Sequence, residues 1–420
     1  MKRRLVPTRR RPSTRTTAPL RTKTEVTGEP ARPAQLRKTN QRLLLHLMRK
    51  HSPCSRADLA RISGLAVPTV TLAVSDLIER GLVEDGGEGV SSGGRPPAML
   101  RFNASHGYVA AADIGGTYVR MMLADLNGNP VAEWEDKLAE KGKTPRGVIA
   151  HIRQGLDAMM ASLPEKRRIL HITAGAPGMT DIDRGVVLAA PNLSGWNDVP
   201  FKTLLERDLN ISAGVDNDVN LASVGEFAEG VARGVDDFIF IAIGTGVGAG
   251  IFLRGALHRG ANWSAGEIGY LPVVGMDRQR VRMRDTGQLE RVIGGEGVEL
   301  QWKKLLRQAG INDRARMQMR ATQIFDLALE GDTTAEQILE NTSRVLADAL
   351  SSISLLFNPE LIVLGGGVGA HPALCSATER CLRENDFALP RLRSSSLGTK
   401  AQLFGAIAQS LAATETQLLF

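Results

Sequence analysis

The stretch Val109-Ala110-Ala111-Ala112-Asp113-Ile114-Gly115-Gly116-Thr117 decides the fold of the larger part of this chain. It predicts a buried strand that runs into a tight glycine turn, and residues 119–126 predict the strand that returns from it. Residues 127–130, Asn-Gly-Asn-Pro, are typical of the next hairpin turn. Glycines allow backbone amides to approach a phosphate closely, Thr117 offers a hydroxyl, and Asp113 could hold a magnesium ion. The segment therefore predicts a phosphate-binding hairpin.

Two further glycine turns follow apolar strands, at residues 243–250 and 365–368. A single turn of this kind is more typical of a structural connection than of a binding site. Three in this order predict a two-lobed fold that clamps a nucleotide between its lobes. The candidate nucleotide-binding residues are Asp113, Gly115, Gly116, Thr117, Gly244, Thr245, Gly246 and Gly366.

Upstream of the hairpin, small residues at fixed spacing indicate a helix-turn-helix. Ala60 allows two helices to approach, Gly64 permits a turn with positive φ, and Val70 fills the space between the helices. Ser55 is predicted to cap the first of these helices, with Asp58 completing the cap. The buried stripe of the second helix is expected to comprise Val67, Val70, Val74 and Leu77. A plain helical hairpin in a core is the alternative.

The opposite face of the second helix is small and polar enough to enter a major groove. Residues 82–85, a glycine-rich loop at 86–97 and a returning strand at 98–102 predict a wing, whose arginine could lie in a narrow minor groove. The alternative for this loop is a flexible linker. The candidate DNA-binding residues are Ser55, Arg56, Pro68, Thr69, Thr71, Leu72, Ser75 and Arg95.

The formal charge of +7 is concentrated at one end of the 420-residue chain. Residues 1–38 contain twelve Lys/Arg and two Glu, a net of +10, so the remainder is at about −3. This segment is predicted to be a disordered basic tail. It could be an arm that contacts phosphates, a transit peptide, or the product of an over-long start assignment.

The cysteines and the apolar runs of the sequence indicate in which cellular compartment the protein is expected. Cys54, Cys375 and Cys381 fit neither paired disulfides nor a C-x-x-C metal pattern, which favours a reducing cytoplasm. The longest apolar run, residues 238–252, is glycine-rich and too short to span a bilayer, so no membrane association is expected.

Taken together, these motifs resemble the ROK family, named for repressors, open reading frames and kinases. The resemblance covers residues 36–417. It implies an α/β fold, the actin-like, ribonuclease-H-like two-lobed ATPase type, with the N-terminal winged helix-turn-helix of the repressor branch. The expected domains are the tail at 1–38, the winged helix-turn-helix at 39–103, and a sugar-kinase-like domain at 107–420. Lobe 1 is expected at about 107–212 plus 398–420, and lobe 2 at about 213–397.

The resemblance also implies which residues bind sugar. Asn217 and Asp218 match the pair whose aspartate takes the proton from a sugar hydroxyl in ROK kinases, although a turn with capping residues is the alternative. Glu267 matches a sugar-binding glutamate in the family's Gly-Glu-Ile-Gly-His motif, where Tyr270 replaces the histidine. Tyr270 keeps a hydroxyl that can form one hydrogen bond. The predicted sugar-binding residues are Gly178, Asn217, Asp218, Glu267, Tyr270 and Glu290.

In the family, that histidine and three downstream cysteines hold a structural zinc. The positions that match the cysteines are Val281, Met283 and Gln288, none of which binds zinc tightly. All four ligands are replaced together while the surrounding motif survives. Zinc is therefore predicted to be absent, and no cofactor is expected to be required.

The expected function is that of a transcriptional regulator, most simply a repressor of carbohydrate-utilisation genes, which binds operator DNA and responds to a sugar or sugar phosphate in the cleft. A sugar kinase that carries a DNA-binding module is the alternative, with Asp218 as catalytic base and ATP and magnesium as cofactors. A scaffold that binds no sugar is the third hypothesis. The expected protein is a homodimer or homotetramer, cytoplasmic, and on the nucleoid when bound to DNA.

Overall fold

A computed structural model describes residues 33–89, 96–139, 142–190, 193, 195–277, 285–384 and 390–419. The N-terminal unit contains three helices and a small antiparallel sheet of strand order β1-β3-β2. Its elements are α1 (Pro33–His51), β1 (Cys54–Ser55), α2 (Arg56–Ser63), α3 (Val67–Glu79), β2 (Val83–Glu88) and β3 (Ala98–Phe102). We call this the winged unit.

Local sequence accounts for the turn between α2 and α3. Ser55 and Asp58 form the reciprocal capping box at the start of α2, and Gly64 ends that helix in the left-handed conformation, with a φ of 70°. The expected burial of Val67 is wrong, because this side chain lies at the first position of α3 and is 56% exposed. Ala73 is buried instead, beside Val70, Val74 and Leu77.

The predicted boundary between tail and winged unit at residue 39 is also wrong. Helix α1 already begins at Pro33, within the segment assigned to the basic tail. The side chains of Arg37 and Gln41 both donate hydrogen bonds to Asp76 of α3, so this first part of α1 is tied to α3. The charge of Arg37 and Lys38 makes these residues resemble the tail in the sequence.

The first lobe is built on a five-stranded sheet of order β10-β7-β4-β5-β6. One face of this sheet packs against α4 and α5 around a core that includes Trp196 and Phe201. The elements are β4 (Tyr108–Ile114), β5 (Tyr118–Ala124), β6 (Pro130–Lys137), α4 (Pro145–Ser162), β7 (Ile169–Ala176), β8 (Met179–Asp181), β9 (Val186–Ala189), α5 (Phe201–Leu209) and β10 (Ser212–Asn217). Strand β10 pairs in parallel with β7, so the sheet of lobe 1 extends to Asn217, a few residues beyond the approximate boundary expected from the sequence. The second lobe begins after this strand.

The second lobe is built on another five-stranded sheet, of order β13-β12-β11-β14-β15. A cluster of helices covers one of its faces and buries Trp302 and Phe325. The elements are α6 (Asp218–Ala228), β11 (Phe238–Ile243), β12 (Val247–Leu253), β13 (Ala256–His258), α7 (Gln288–Ile293), α8 (Gly295–Gln308), α9 (Arg314–Met317), α10 (Ala321–Leu329), α11 (Thr333–Phe357), β14 (Leu361–Gly365), α12 (Gly366–Gly369), α13 (Pro372–Leu382) and β15 (Arg391–Ser394).

The last helix, α14 (Ala401–Leu419), lies on β4 and β7 of the first lobe and against α6, which in turn packs on β11 and β12 of the second lobe. Glycines allow the two helices to touch. A Cβ at Gly405 would lie 1.8 Å from the carbonyl oxygen of Leu221, and a Cβ at Gly225 would lie 2.1 Å from that of Ala401. Helices α6 and α14 therefore form a closely packed pair between the two sheets.

The winged unit is packed against the first lobe and α14. One buried apolar cluster includes Leu44 and Met48 of α1 together with Met122 of β5 and Ile407 of α14. Polar contacts accompany it: Arg49 of α1 pairs with Glu415, and Arg80 Nη1 donates to the Leu418 carbonyl at 2.8 Å. The C-terminal half of α14 is thus part of the surface that holds the winged unit.

The described helices are short or polar by the standard of membrane-spanning helices. None of the individual helices there combines the length and the apolar composition needed to cross a membrane, whereas α2 and α3 pass on length and composition only when taken together, across a bend of 118°.

Candidate functional site

Three carboxylates from different elements converge at the cleft between the lobes. Asp113 is the second-to-last residue of β4, Asp218 begins α6, and Glu267 lies in the loop between β13 and α7. Burial raises the pKa of Asp218 to about 7, with the negative charges of Asp113 and Glu267 contributing. Burial also raises the pKa of Asp113 to about 6, although Arg120, 3.6 Å away, opposes the shift. The arrangement offers a ligand rich in hydroxyl groups several carboxyl oxygens, which accept hydrogen bonds when ionised and can also donate one when protonated.

The raised pKa of Asp218 makes stability depend on pH. Between pH 3.8, the ordinary value, and about pH 7, the folded state holds a proton that the unfolded state has released, so the free energy of unfolding falls as pH rises. An Asp218→Asn chain lacks this penalty and is expected to be more stable than the wild type at pH 8, by up to about 4 kcal/mol. Urea unfolding at pH 8 and pH 4 measures the effect.

At pH 4 the advantage of Asp218→Asn should nearly vanish, because the wild-type carboxyl is then protonated in the folded state. Asp348→Asn, at an exposed position of α11, is the matched control and should show no growing advantage. An Asp218→Asn chain with the same relative stability at both pH values would contradict the assignment.

Asn217 caps α6 and also ties two loops together. Its side-chain oxygen accepts a hydrogen bond from the Asn220 amide at 2.9 Å, and its Nδ2 donates to the Gly178 carbonyl at 2.9 Å. The capping role that the sequence left as an alternative is therefore present. Gly178 itself has a φ of 91°, and a Cβ there would lie 2.1 Å from the Ala189 carbonyl oxygen, so its backbone position requires glycine. Asn217 and Gly178 are brought together at one edge of the cleft.

Glu290, Glu267 and Tyr270 form the other edge. Glu290 Oε2 accepts a hydrogen bond from the Val247 amide at 2.9 Å, which fixes the second glycine turn. Burial raises the pKa of Glu267, and Glu290 adds to this shift. The pKa of the Tyr270 hydroxyl is raised by burial and then by the charges of Glu267 and Glu290. The side chain that replaces histidine in the motif is thus an uncharged hydroxyl beside two carboxyl groups.

A residue that the sequence reasoning missed lies directly before the Asn217-Asp218 pair. Asp216 is 1% exposed, and its Oδ1 accepts a hydrogen bond from the Asn217 amide at 2.8 Å. Its Oδ2 receives Arg259 Nη2 at 2.5 Å and Gln409 Nε2 at 2.7 Å. We call these three side chains the Asp216 junction. It joins β10 of lobe 1, the loop after β13 in lobe 2, and α14.

The three glycine turns lie at the ends of β4, β11 and β14, and their glycines have different structural roles. The Gly115 amide donates to the Tyr118 carbonyl at 2.9 Å, which closes the first turn. Gly366 has a φ of 78°, and a Cβ there would lie 2.5 Å from the Ile243 carbonyl oxygen, so packing alone requires this glycine. The remaining nucleotide candidates, Gly116, Thr117, Gly244, Thr245 and Gly246, are exposed or half-buried.

The residues around Asp113 fit a magnesium nucleotide poorly. Arg120 lies 3.6 Å from Asp113 Oδ2, so this carboxylate already has a cationic partner from its own chain. Among the described residues, histidine, cysteine, aspartate and glutamate side chains form no group of three or more that could hold a metal ion.

The position of the family's zinc is described in part. Val281 and Met283 lie outside the described residues. Gln288 is buried, with its Nε2 donating to the Asp277 carbonyl at 2.8 Å and its Oε1 accepting from the Val273 amide at 3.2 Å. These bonds connect the two sides of the loop at the point where a cysteine would bind zinc. The absence of zinc stays a prediction.

The predicted DNA-binding residues lie at α2 and α3. Pro68, Thr71 and Leu72 are exposed, whereas Arg56, Thr69 and Ser75 are half-buried. Ser55 is only 6% exposed and its hydroxyl belongs to the capping box, so its side chain is engaged within the winged unit. Arg95, the predicted minor-groove residue, lies outside the described residues.

Family models match both parts of the chain. The model of the ROK family matches residues 109–413, and a model of winged helix-turn-helix DNA-binding domains matches residues 37–84. The xylose repressor of Bacillus subtilis is 28% identical over 81% of this chain and 86% of its own length. NagC of Escherichia coli, a DNA-binding transcriptional dual regulator, is 27% identical over 86% of this chain and 88% of its own.

Solved structures agree in architecture. A ROK family transcriptional regulator, described as a homologue of the E. coli Mlc protein, superposes with a TM-score of 0.76 at 25% identity, over 91% of this chain and 98% of that one. A ROK family glucokinase from Streptomyces griseus, solved with glucose and AMPPNP, gives a TM-score of 0.63 at 26% identity, over 72% of this chain and 99% of its own. The predicted two-lobed, kinase-like fold with an N-terminal winged helix-turn-helix is confirmed.

Proposed function

The chain belongs to the ROK family, and we propose that it is a transcriptional regulator, a repressor, whose affinity for operator DNA is set by a sugar bound between its lobes. The observation that carries this proposal is that one helix, α14, touches both parts. Gln409 of α14 bonds to Asp216 beside the cleft, and Glu415 of the same helix pairs with Arg49 of the winged unit.

A sugar changes DNA affinity only if it binds two conformations of the chain unequally. Closure of the lobes around Asn217, Asp218 and Glu267 is the conformational change we propose. The Asp216 junction lies where such a closure would act, because Arg259 reaches it from lobe 2 and Gln409 from α14. A displaced α14 would shift α1. Because Arg37 and Gln41 of α1 are bonded to Asp76, it would also shift α3.

We propose that the cleft binds its ligand without phosphoryl transfer. Asp218 matches the family's catalytic base in the sequence, but Arg120 lies 3.6 Å from Asp113 Oδ2, an oxygen that a magnesium ion would need. The ligand class is a sugar or sugar phosphate, as with the relatives named xylose repressor and N-acetylglucosamine repressor. Operator DNA is the macromolecular partner, and two copies of the chain bind it, each with its helix α3 in the major groove. Such a regulator acts in the cytoplasm.

The proposal is tested with a duplex that the full-length chain enriches from a random pool. Gel shifts of this duplex are measured with and without D-xylose, D-glucose and their phosphates. We expect at least one of these sugars to change the dissociation constant for DNA by about fivefold to 150-fold, the usual range of coupling between two sites. A chain that enriches no duplex, or whose DNA affinity follows none of the sugars while it binds one of them, would contradict the proposal.

A further inference from the structure

The open face of α3, the helix proposed to enter the major groove, is mostly apolar. Val67 and Leu72 are each 56% exposed, and Pro68 between them is exposed as well. Helix α3, which is described over its whole length, contains no lysine, arginine, asparagine or glutamine. Its two acidic residues lie near its end, and the first of them, Asp76, is bonded to Arg37 and Gln41. The helix therefore presents methyl groups and hydroxyls where DNA-reading helices often present longer polar side chains.

Each base presents different chemistry in the major groove. Guanine offers two acceptors and is read by arginine or lysine, and adenine is read in a bidentate manner by asparagine or glutamine. Thymine alone adds a methyl group, which apolar side chains contact. Because α3 lacks all four polar readers, the thymine methyl is the feature that its open face complements best.

The hydroxyl of Thr71 is compatible with this preference for thymine. It donates a hydrogen bond to the Val67 carbonyl at 2.9 Å, so in this arrangement the oxygen is left to accept. An accepting hydroxyl suits the amino groups of adenine and cytosine and does not suit the acceptor edge of guanine. Thymine paired with adenine therefore fits both the apolar and the hydroxyl parts of this face.

We infer that α3 specifies its operator through the C5 methyl groups of thymine, with Leu72 and Val67 as the specificity-determining residues. This inference rests on the proposed DNA-binding function and adds the base class that the helix reads. Contacts to phosphates position the winged unit and carry no base preference. The half-site read by α3 is then rich in A·T pairs, and its recognition depends on methyl groups rather than on bidentate hydrogen bonds.

Replacing thymine by deoxyuridine tests this directly, because the change removes the methyl group and leaves base pairing intact. In the duplex enriched by the full-length chain, each contacted thymine changed to deoxyuridine should weaken binding about fourfold, the equivalent of one buried methyl group. Deoxyuridine in the flanking sequence should have no such effect. Fluorescence anisotropy at one fixed salt concentration gives the dissociation constants.

A Leu72→Ala variant completes a double-mutant cycle. It should bind the thymine duplex more weakly and should no longer distinguish thymine from deoxyuridine at the position it contacts. Leu300→Ala, an equally conservative change at an exposed leucine of lobe 2, is the matched control and should keep the full methyl dependence.

Three results would overturn the inference. One is tight binding that is unchanged by deoxyuridine throughout the half-site. Another is an enriched half-site dominated by G·C pairs. The third is a double variant, Leu72→Ala with Val67→Ala, that still distinguishes thymine from deoxyuridine as fully as the wild type does. Each of these leaves the proposed DNA-binding function standing, whereas a chain that enriches no duplex contradicts that function and this inference together.

Discussion

A Glu267→Ala chain is expected to bind DNA as the wild type does and to lose its response to sugar. Glu267 is half-buried in the cleft, and burial, followed by the charge of Glu290, raises the pKa of its carboxyl. A carboxylate that accepts hydrogen bonds from two sugar hydroxyls contributes about 1.5–3 kcal/mol for each bond. Removing it should therefore weaken sugar binding by about 100-fold or more. Isothermal titration of the sugar identified by gel shift measures this loss.

The matched control for this change is Glu360→Ala. Glu360 is exposed and pairs with Arg391 on the surface of lobe 2, so its loss should leave sugar affinity unchanged. The DNA affinity of Glu267→Ala without sugar should equal that of the wild type, because the contacts that hold the winged unit, such as the pair Arg49–Glu415, are unchanged. Wild-type sugar affinity in Glu267→Ala would show that the ligand binds elsewhere.

An Asp216→Ala chain is expected to lose both stability and communication between the two sites. Asp216 is the common partner of Arg259 and Gln409, and the Nε of Arg259 is buried with no hydrogen-bond partner. Removing one member of a buried ion pair leaves the other charge uncompensated, which typically costs about 3–5 kcal/mol. Urea unfolding monitored by tryptophan fluorescence measures this loss.

The coupling between the sugar site and the DNA site is better measured with the milder Gln409→Ala. This change keeps the ion pair Arg259–Asp216 and removes only the hydrogen bond from α14 to Asp216. Its affinities for sugar alone and for DNA alone should be close to those of the wild type, but the factor by which sugar changes DNA affinity should fall severalfold. Gln301→Ala, which removes a side-chain hydrogen bond to the Val292 carbonyl within lobe 2, should keep the full factor. An unchanged factor in Gln409→Ala means that α14 does not transmit the signal through this contact.

The features that the sequence predicts correctly are those set by residues close to each other in the chain. Glycine turns after apolar strands, the capping box at Ser55 and the left-handed Gly64 depend on neighbours within a few residues. The same is true of the pair Asn217-Asp218, whose place at the start of α6 follows from the strand before it. These local patterns therefore suffice to predict the ROK family and its two-part architecture.

Local sequence patterns do not predict features that depend on contacts between residues far apart in the chain. The Asp216 junction joins residues 43 and 193 positions apart, and no local pattern marks Arg259 or Gln409 as partners of a buried aspartate. The start of α1 was misplaced because Arg37 resembles the tail in composition, although Asp76 of α3 holds it in the winged unit. Periodicity alone places Val67 in the core, because it does not show that the helix begins at this residue.

The central claim is that a sugar in the cleft and DNA on the winged unit are linked through one chain. Linkage requires the coupling to be reciprocal, so the factor by which sugar changes DNA affinity must equal the factor by which DNA changes sugar affinity. Isothermal titration of the sugar into the wild-type chain, alone and saturated with its duplex, measures the second factor. We predict a change of about fivefold or more, equal to that found by gel shift. The same sugar dissociation constant with and without DNA would contradict the account.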